Sequence, residues 1–333
     1  MGKGICVAGN MIVDILYPIS GWPKRGQLVH VQDGIDRSTG GAVCNVIIDL
    51  AKLDPEMPLY AMGRNGKDAE GDLILEKMQA HANINTDNVI NEGISAFTMV
   101  MSDMISKERT FFTYLGANAK FNEDDVDWSK VDCNIFHIGY ILLLNALDQE
   151  DPEYGSKMAR LLCNAQKHGI KTSIDVVSEA SDRFKRLVPP ALKYTDYCII
   201  NEFEASQTTG IELRDSEDKL IRENIPLALG RMKEMGVSTW AVIHTPEGGF
   251  GLDENDNYIA IDSLKLPEGY IKGTVGAGDA FCAGVLCGAE KDYKLEDAIV
   301  LGIASAACSL SEPSASDGMR PVADALKLYN ELR

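Results

Sequence analysis

Short apolar runs of strand length recur along the chain, separated by amphipathic segments of helical period. The runs Ile5–Ala8, Leu59–Met62, Ile135–Ile138, Thr172–Val176, Tyr197–Ile200 and Trp240–His244 predict strands buried on both faces. Helix punctuation falls between them. Asp151-Pro152-Glu153 offers an N-cap followed by proline, His168-Gly169 closes that segment, and Met235-Gly236 closes another helix. Apolar strands alternating with helices predict βαβ units and a parallel sheet covered on both faces. Two stretches, residues 12–38 and 94–118, break the pattern by being strand-like with no helix between strands. The second reads as a hairpin, Ile94–Val100 and Arg109–Leu115 around a polar turn. We therefore expect one discontinuous α/β core carrying a small β lid.

Composition narrows the function classes. The chain has 333 residues, 45% of them hydrophobic, with 32 basic against 50 acidic side chains, a net charge of −18. That field repels phosphate backbones and anionic bilayers, so neither nucleic acid nor membrane is an expected partner, and small anionic ligands must be gathered locally. The N-terminus lacks a signal-peptide pattern, and the apolar run Ala298–Leu310 is too short to span a bilayer, so a cytoplasmic protein is expected. The eight cysteines form no CxxC and mostly lie in apolar segments, which reads as reduced, buried thiols. Five scattered histidines without HExxH or His-x-His make a protein-built transition-metal site improbable.

The sharpest chemical feature runs from Gly273 to Gly284, where Gly276, Ala277 and Gly278 precede an apolar helix of small residues. Small residues at a helix start let backbone N–H groups converge on an anion, and the helix dipole adds a favourable field. Asp279, just inside that positive end, could accept a proton from a hydroxyl attacking phosphorus. By spacing alone the same residues also describe an N-cap aspartate on a tightly packed helix.

The segment Thr274–Phe281 resembles the C-terminal signature of the ribokinase-like (PfkB-type) family of carbohydrate and nucleoside kinases. Gly40-Gly41-Ala42-Val43-Cys44-Asn45 resembles its N-terminal di-glycine signature. Gly9 with Asp14, Gly63-Arg64-Asn65-Gly66-Lys67-Asp68 with Gly71, and Asn201 with Glu204 match further elements in the same order. The resemblance implies an α/β, ribokinase-like fold: a mostly parallel central sheet with helices on both faces, plus a small β-sheet lid. The core would comprise residues 1–11, 39–93 and 119–333, and the lid residues 12–38 and 94–118. It implies ATP-dependent phosphorylation of a sugar or sugar-derivative hydroxyl, with Asp279 as general base and Gly276, Ala277 and Gly278 as a backbone anion hole.

By the same resemblance Asp14, Gly40, Gly41 and Asn45 hold the substrate, although Asp14 also reads as a strand-end aspartate and the glycines as a turn capped by Thr39. Arg109 in the lid would reach the substrate or the phosphoryl group, or else lie in solvent or at a subunit contact. Thr245, Gly249 and Thr274 would line the nucleotide. Asn201 and Glu204 would order Mg2+ through water, with a helix cap as the lesser reading of Asn201. The aromatic stripe of the hairpin reads as packing with a face for a homodimer through the lid.

Departures from the family pattern matter too. Gly273 stands where many relatives carry an aspartate near a monovalent cation, so at most mild activation by K+ is expected. Ile12 replaces a polar residue near the sugar, which argues against ribose, and Pro246 replaces a glycine beside the nucleotide. His244 is expected to pack rather than to react. The third glycine of a dinucleotide fingerprint is missing and no Walker A sequence occurs. The alternatives left are a nucleoside kinase of the same fold and a non-catalytic sugar sensor, the latter opposed by the intact signatures.

Overall fold

The computed structural model describes residues 3–106, 108–179 and 181–333. In chain order the strands begin with β1 (Ile5–Gly9), β2 (Ile12–Ile19), β3 (Asp36–Gly40), β4 (Leu59–Asn65), β5 (Ile84–Asn91), β6 (Ala96–Asp103) and β7 (Arg109–Tyr114). They continue with β8 (Ile135–Ile141), β9 (Glu150–Asp151), β10 (Gly155–Ser156), β11 (Lys171–Val176), β12 (Tyr197–Asn201), β13 (Trp240–Thr245), β14 (Gly248–Leu252) and β15 (Tyr258–Asp262). The helices are α1 (Gly41–Leu53), α2 (Ala69–Gln79), α3 (Lys157–Lys167), α4 (Phe184–Leu192), α5 (Glu202–Thr209), α6 (Ile225–Met235), α7 (Ala277–Glu290), α8 (Leu295–Leu310) and α9 (Val322–Leu332).

Nine strands form one sheet in the order β15-β14-β13-β12-β11-β8-β1-β4-β5. From β13 to β5 every neighbour is parallel, and the hairpin β14–β15 adds two antiparallel strands at one edge. The pleat sorts side chains to two cores: Ile5 and Val7 enter one apolar cluster, Cys6 and Ala8 the other. Helices α1, α2, α7, α8 and α9 cover the first face, and α3 to α6 the second. All six strand segments read from the sequence lie in this sheet, because each is an apolar run buried on both sides. The eight cysteines are free, with Cys163 half-buried and the rest buried.

A second, four-stranded sheet has the order β3-β2-β6-β7. Its central pair β2–β6 is parallel and its outer pairs antiparallel, so it joins the two chain segments that lacked helices. The turn of the β6–β7 hairpin includes Lys107, which lies outside the described residues. The chain passes between the two sheets near Gly9, Gly41, Gly93 and Gly116, each at positive φ. These passages are tied together. Asn118 is fully buried and bonds both the N–H and the carbonyl of Met11, Val43 N–H donates to Asn10 O, and Ala117 N–H donates to Ile94 O.

One helix start departs from expectation. Asp151-Pro152 does not open α3, because the Asp151 carboxylate instead accepts the Glu153 and Tyr154 amides in a turn and pairs with Arg160. That turn closes the small β9–β10 ladder, and Ser156 takes the cap by accepting from Ala159 N–H at 3.2 Å.

Candidate active site

The two glycine signatures meet at the carboxyl ends of the parallel strands, where ligands of open α/β sheets bind. Gly40 precedes α1 and Gly276 precedes α7, and the two helices start side by side. Asn45 Nδ2 donates to Asp279 Oδ2 at 2.8 Å across 234 residues of sequence. At the other end of that first turn of α1, a Cβ on Gly40 would stand 2.6 Å from Asp14 Oδ2, so the carboxylate lies directly over the glycine. Asp14 and Asp279 thus bracket a stretch of about 8 Å at the start of α1. A side chain at Gly41 would strike Asn10, with Oδ1 at 2.3 Å, in a backbone that already has φ +84°. Burial raises the Asp14 carboxyl above its ordinary value, and the adjacent Thr98 hydroxyl pulls it back.

Asp279 does not cap its helix. The N-cap is Gly276, at φ +80°, and the ladder begins with Ala280 N–H to Gly276 O at 2.8 Å. The amides of Ala277, Gly278 and Asp279 therefore precede the ladder and lack helical partners. The Asp279 carboxylate turns away from them, accepting from Asn45 and from the hydroxyl of Tyr140 at 2.7 and 2.8 Å to its two oxygens. Burial raises its pKa, and the bonds from Tyr140 and then Asn45 oppose that rise.

Next to it lie two more buried carboxylic acids, Asp175 at the end of β11 and Glu204 in α5. Burial pushes both up in pKa, and the neighbouring negative charges add to the effect. Asn201 caps α5 as the bland reading has it. Its Oδ1 accepts from Glu204 N–H at 2.9 Å, while Glu204 Oε2 accepts from Asn201 N–H at 3.0 Å. Ser178 completes the network by donating to Glu204 Oε1 at 2.7 Å and accepting from Asn201 Nδ2 at 3.0 Å. Among the described residues no three His, Cys, Asp or Glu side chains are grouped to hold a metal directly. The donor set fits Mg2+ all the same. It is made of hard oxygens, and with both Glu204 oxygens already accepting hydrogen bonds its contact with the ion would run through water.

A cleft of about 680 Å³ opens on the far side of the Gly-Ala-Gly turn. Its lining includes Asn201, His244, Thr245, Thr274, Ala277 and Gly278, with an apolar floor of residues such as Leu266 and Ile303. Thr245 Oγ1 accepts the amides of Glu247 and Gly248 and so shapes the β13–β14 turn. His244 packs its ring 5.0 Å from that of Phe281, and burial lowers its pKa to about 4, so it is neutral.

Two sequence candidates fall elsewhere. Gly249 lies beneath the cleft, where a Cβ would meet Ile299 at 2.6 Å and the Phe281 ring at 3.1 Å, so this glycine serves helix packing. Arg109 is exposed and pairs with Ser102 at the hairpin tip, four residues along from Thr98 beside Asp14, roughly 13 Å at strand rise. At Gly273, where the family pattern suggested a carboxylate, a Cβ would come within 2.8 Å of Pro313 O. Tyr140 and Asp175 were missed. Both end apolar strands at the sheet's carboxyl edge, the one signal that could have found them.

Comparison with known proteins places the chain in a family. Residues 3–322 match the model of the pfkB family of carbohydrate kinases. An uncharacterized sugar kinase of Archaeoglobus fulgidus is 27% identical over 263 residues, covering 78% of this chain and 93% of that protein. The nucleoside kinase of Methanocaldococcus jannaschii is 22% identical over 307 residues, covering 92% and 89%. Among solved structures, Arabidopsis thaliana ribokinase complexed with ribose and ATP superposes with a TM-score of 0.81 at 22% identity, covering 99% of each chain.

Proposed function

The chain belongs to the pfkB family of carbohydrate kinases, and from that premise we propose that it transfers the γ-phosphoryl group of ATP to a hydroxyl of a sugar or sugar derivative, a primary CH2OH. The observation that carries the reading is the contact between the two glycine-led helices, which sets Asn45 against Asp279 beside unpartnered amides.

ATP occupies the 680 Å³ cleft, its triphosphate reaching the start of α7 past Thr274, while the acceptor lies between Asp14, Gly40, Gly41 and Asn45. The acceptor hydroxyl gives its proton to Asp279, its oxygen bonds to the γ-phosphorus, and the bond to ADP breaks. The amides of Ala277, Gly278 and Asp279 face the charge that grows on the phosphoryl oxygens. Asn201 and Glu204 would hold a magnesium ion through water, and that ion would supply charge neutralisation for the triphosphate. Potassium adds at most mild activation, since position 273 has no carboxylate.

The four-stranded sheet covers the acceptor and limits hydrolysis of ATP by water. Its outer face pairs two chains as a homodimer, and Arg109 belongs to that outer rim. A nucleoside acceptor is the second reading, supported by the nucleoside kinase relative. Release of ADP measured over a panel of ketoses, aldoses, sugar acids and nucleosides decides between them. Strong turnover with a sugar is expected, nucleosides as the sole substrates would move the assignment to the second reading, and no turnover on any would overturn both.

A further inference from the structure

The mechanism leaves the Tyr140 hydroxyl unexplained. It is a donor placed 2.7 Å from one oxygen of Asp279 and 2.8 Å from the other, on a strand 139 residues away in sequence. We propose that Tyr140 is a positioning residue for phosphoryl transfer: its hydroxyl holds the Asp279 carboxylate in one orientation and keeps it charged before the acceptor arrives. This inference rests on Asp279 being the base.

The surroundings explain why such a donor is needed. The titratable groups within reach of the Asp279 charge are Cys44 and Asp49 from α1, Asp175 from β11, Glu204 from α5 and Cys282 from its own helix, while His244 from β13 stands against the adjacent Gly278. Every one is an acid, a thiol or, in His244, a neutral ring. Among the described residues Asp279 makes no salt bridge, so only the dipole of α7 and the donors Asn45 and Tyr140 favour its ionised form.

A lysine here would attract the negative triphosphate and also form a salt bridge with the base, lowering its basicity by a full neighbouring charge. A phenol adds a charge-assisted hydrogen bond without a net charge. Burial and the neighbouring carboxylates raise the Tyr140 pKa well above its ordinary value, so the proton stays on the phenol throughout the working range.

The test reads the carboxylate directly. Protein labelled with 13C at the aspartate carboxyl carbons is titrated by NMR, and the Asp279 resonance is identified by its loss in Asp279→Asn. In Tyr140→Phe, which keeps the ring and its packing, the Asp279 midpoint is expected to rise by roughly half a pH unit or more. The kcat of the same variant, on the best acceptor of the panel, should be most depressed at acid pH and return to within about twofold of wild type at alkaline pH. A midpoint that does not move, or a kcat loss of equal size at every pH, overturns the role of Tyr140. A midpoint that moves while Asp279→Asn remains fully active leaves Tyr140 as the group that orients Asp279 and overturns the assignment of the base instead.

Discussion

A general base must be ionised when the acceptor binds, and the burial that raises the Asp279 pKa works against that. The consequence has a definite sign: activity is present above the raised pKa and lost as pH falls through it. Replacing Asp279 by Asn keeps the size of the side chain and its place beside Asn45 but removes the proton acceptor. We expect kcat to fall by ~10²–10⁴-fold, with the KM for ATP and thermal stability nearly unchanged. Steady-state kinetics checks this, and a kcat within about threefold of wild type would sink the assignment. At this scale the site was half legible in the sequence. Asn45 and Asp279 stand inside local motifs that carry their chemistry in their spacing. Tyr140 stands near the end of a plain apolar strand, and its partner is remote in the chain, so only that strand-end position, and no local motif, marks it.

At the scale of elements, the two glycines of the anion turn do different work. Gly276 has φ +80°, and a Cβ on it would lie 2.4 Å from that of Ala315. Gly278 has an ordinary helical setting with only the His244 ring near, at 3.2 Å. Gly276→Ala is therefore expected to cost about 2 kcal/mol or more through strain and overlap, lowering Tm and abolishing turnover together. Gly278→Ala should leave Tm within a degree or so while cutting kcat/KM by at least ~10-fold, because its methyl would press on the His244 ring in the cleft wall, beside an amide of the anion turn. Thermal melts and kinetics on the pair separate the two, and a fully active Gly278→Ala enzyme would argue against a tight anion turn. Strands were the most legible elements, since an apolar run buried on both faces has few other readings. The start of α3 was not, because Asp151 is as good a turn former as a cap, and only the packing of Arg160 against it decides.

For the whole molecule, the four-stranded sheet presents Phe111, Phe112 and Tyr114 to solvent, with Trp22 stacked on Phe112 at 6.3 Å. An exposed apolar patch of that kind suits the homodimer proposed above, on a chain whose net charge of −18 otherwise favours dispersal. Light scattering is expected to give the mass of a dimer, and Phe111→Glu with Phe112→Glu the mass of a monomer. A monomeric wild type at working concentration would remove the dimer without touching the chemistry. The passages between the sheets carry a mechanical consequence. Four short straps, tied to one another through Asn118, Asn10 and Ile94, fasten a plate to its base. Under the proposed closure a plate held in this way would swing as one piece, like the moving bar of a linkage, and a stiffer strap at Gly116 would restrain the other three as well.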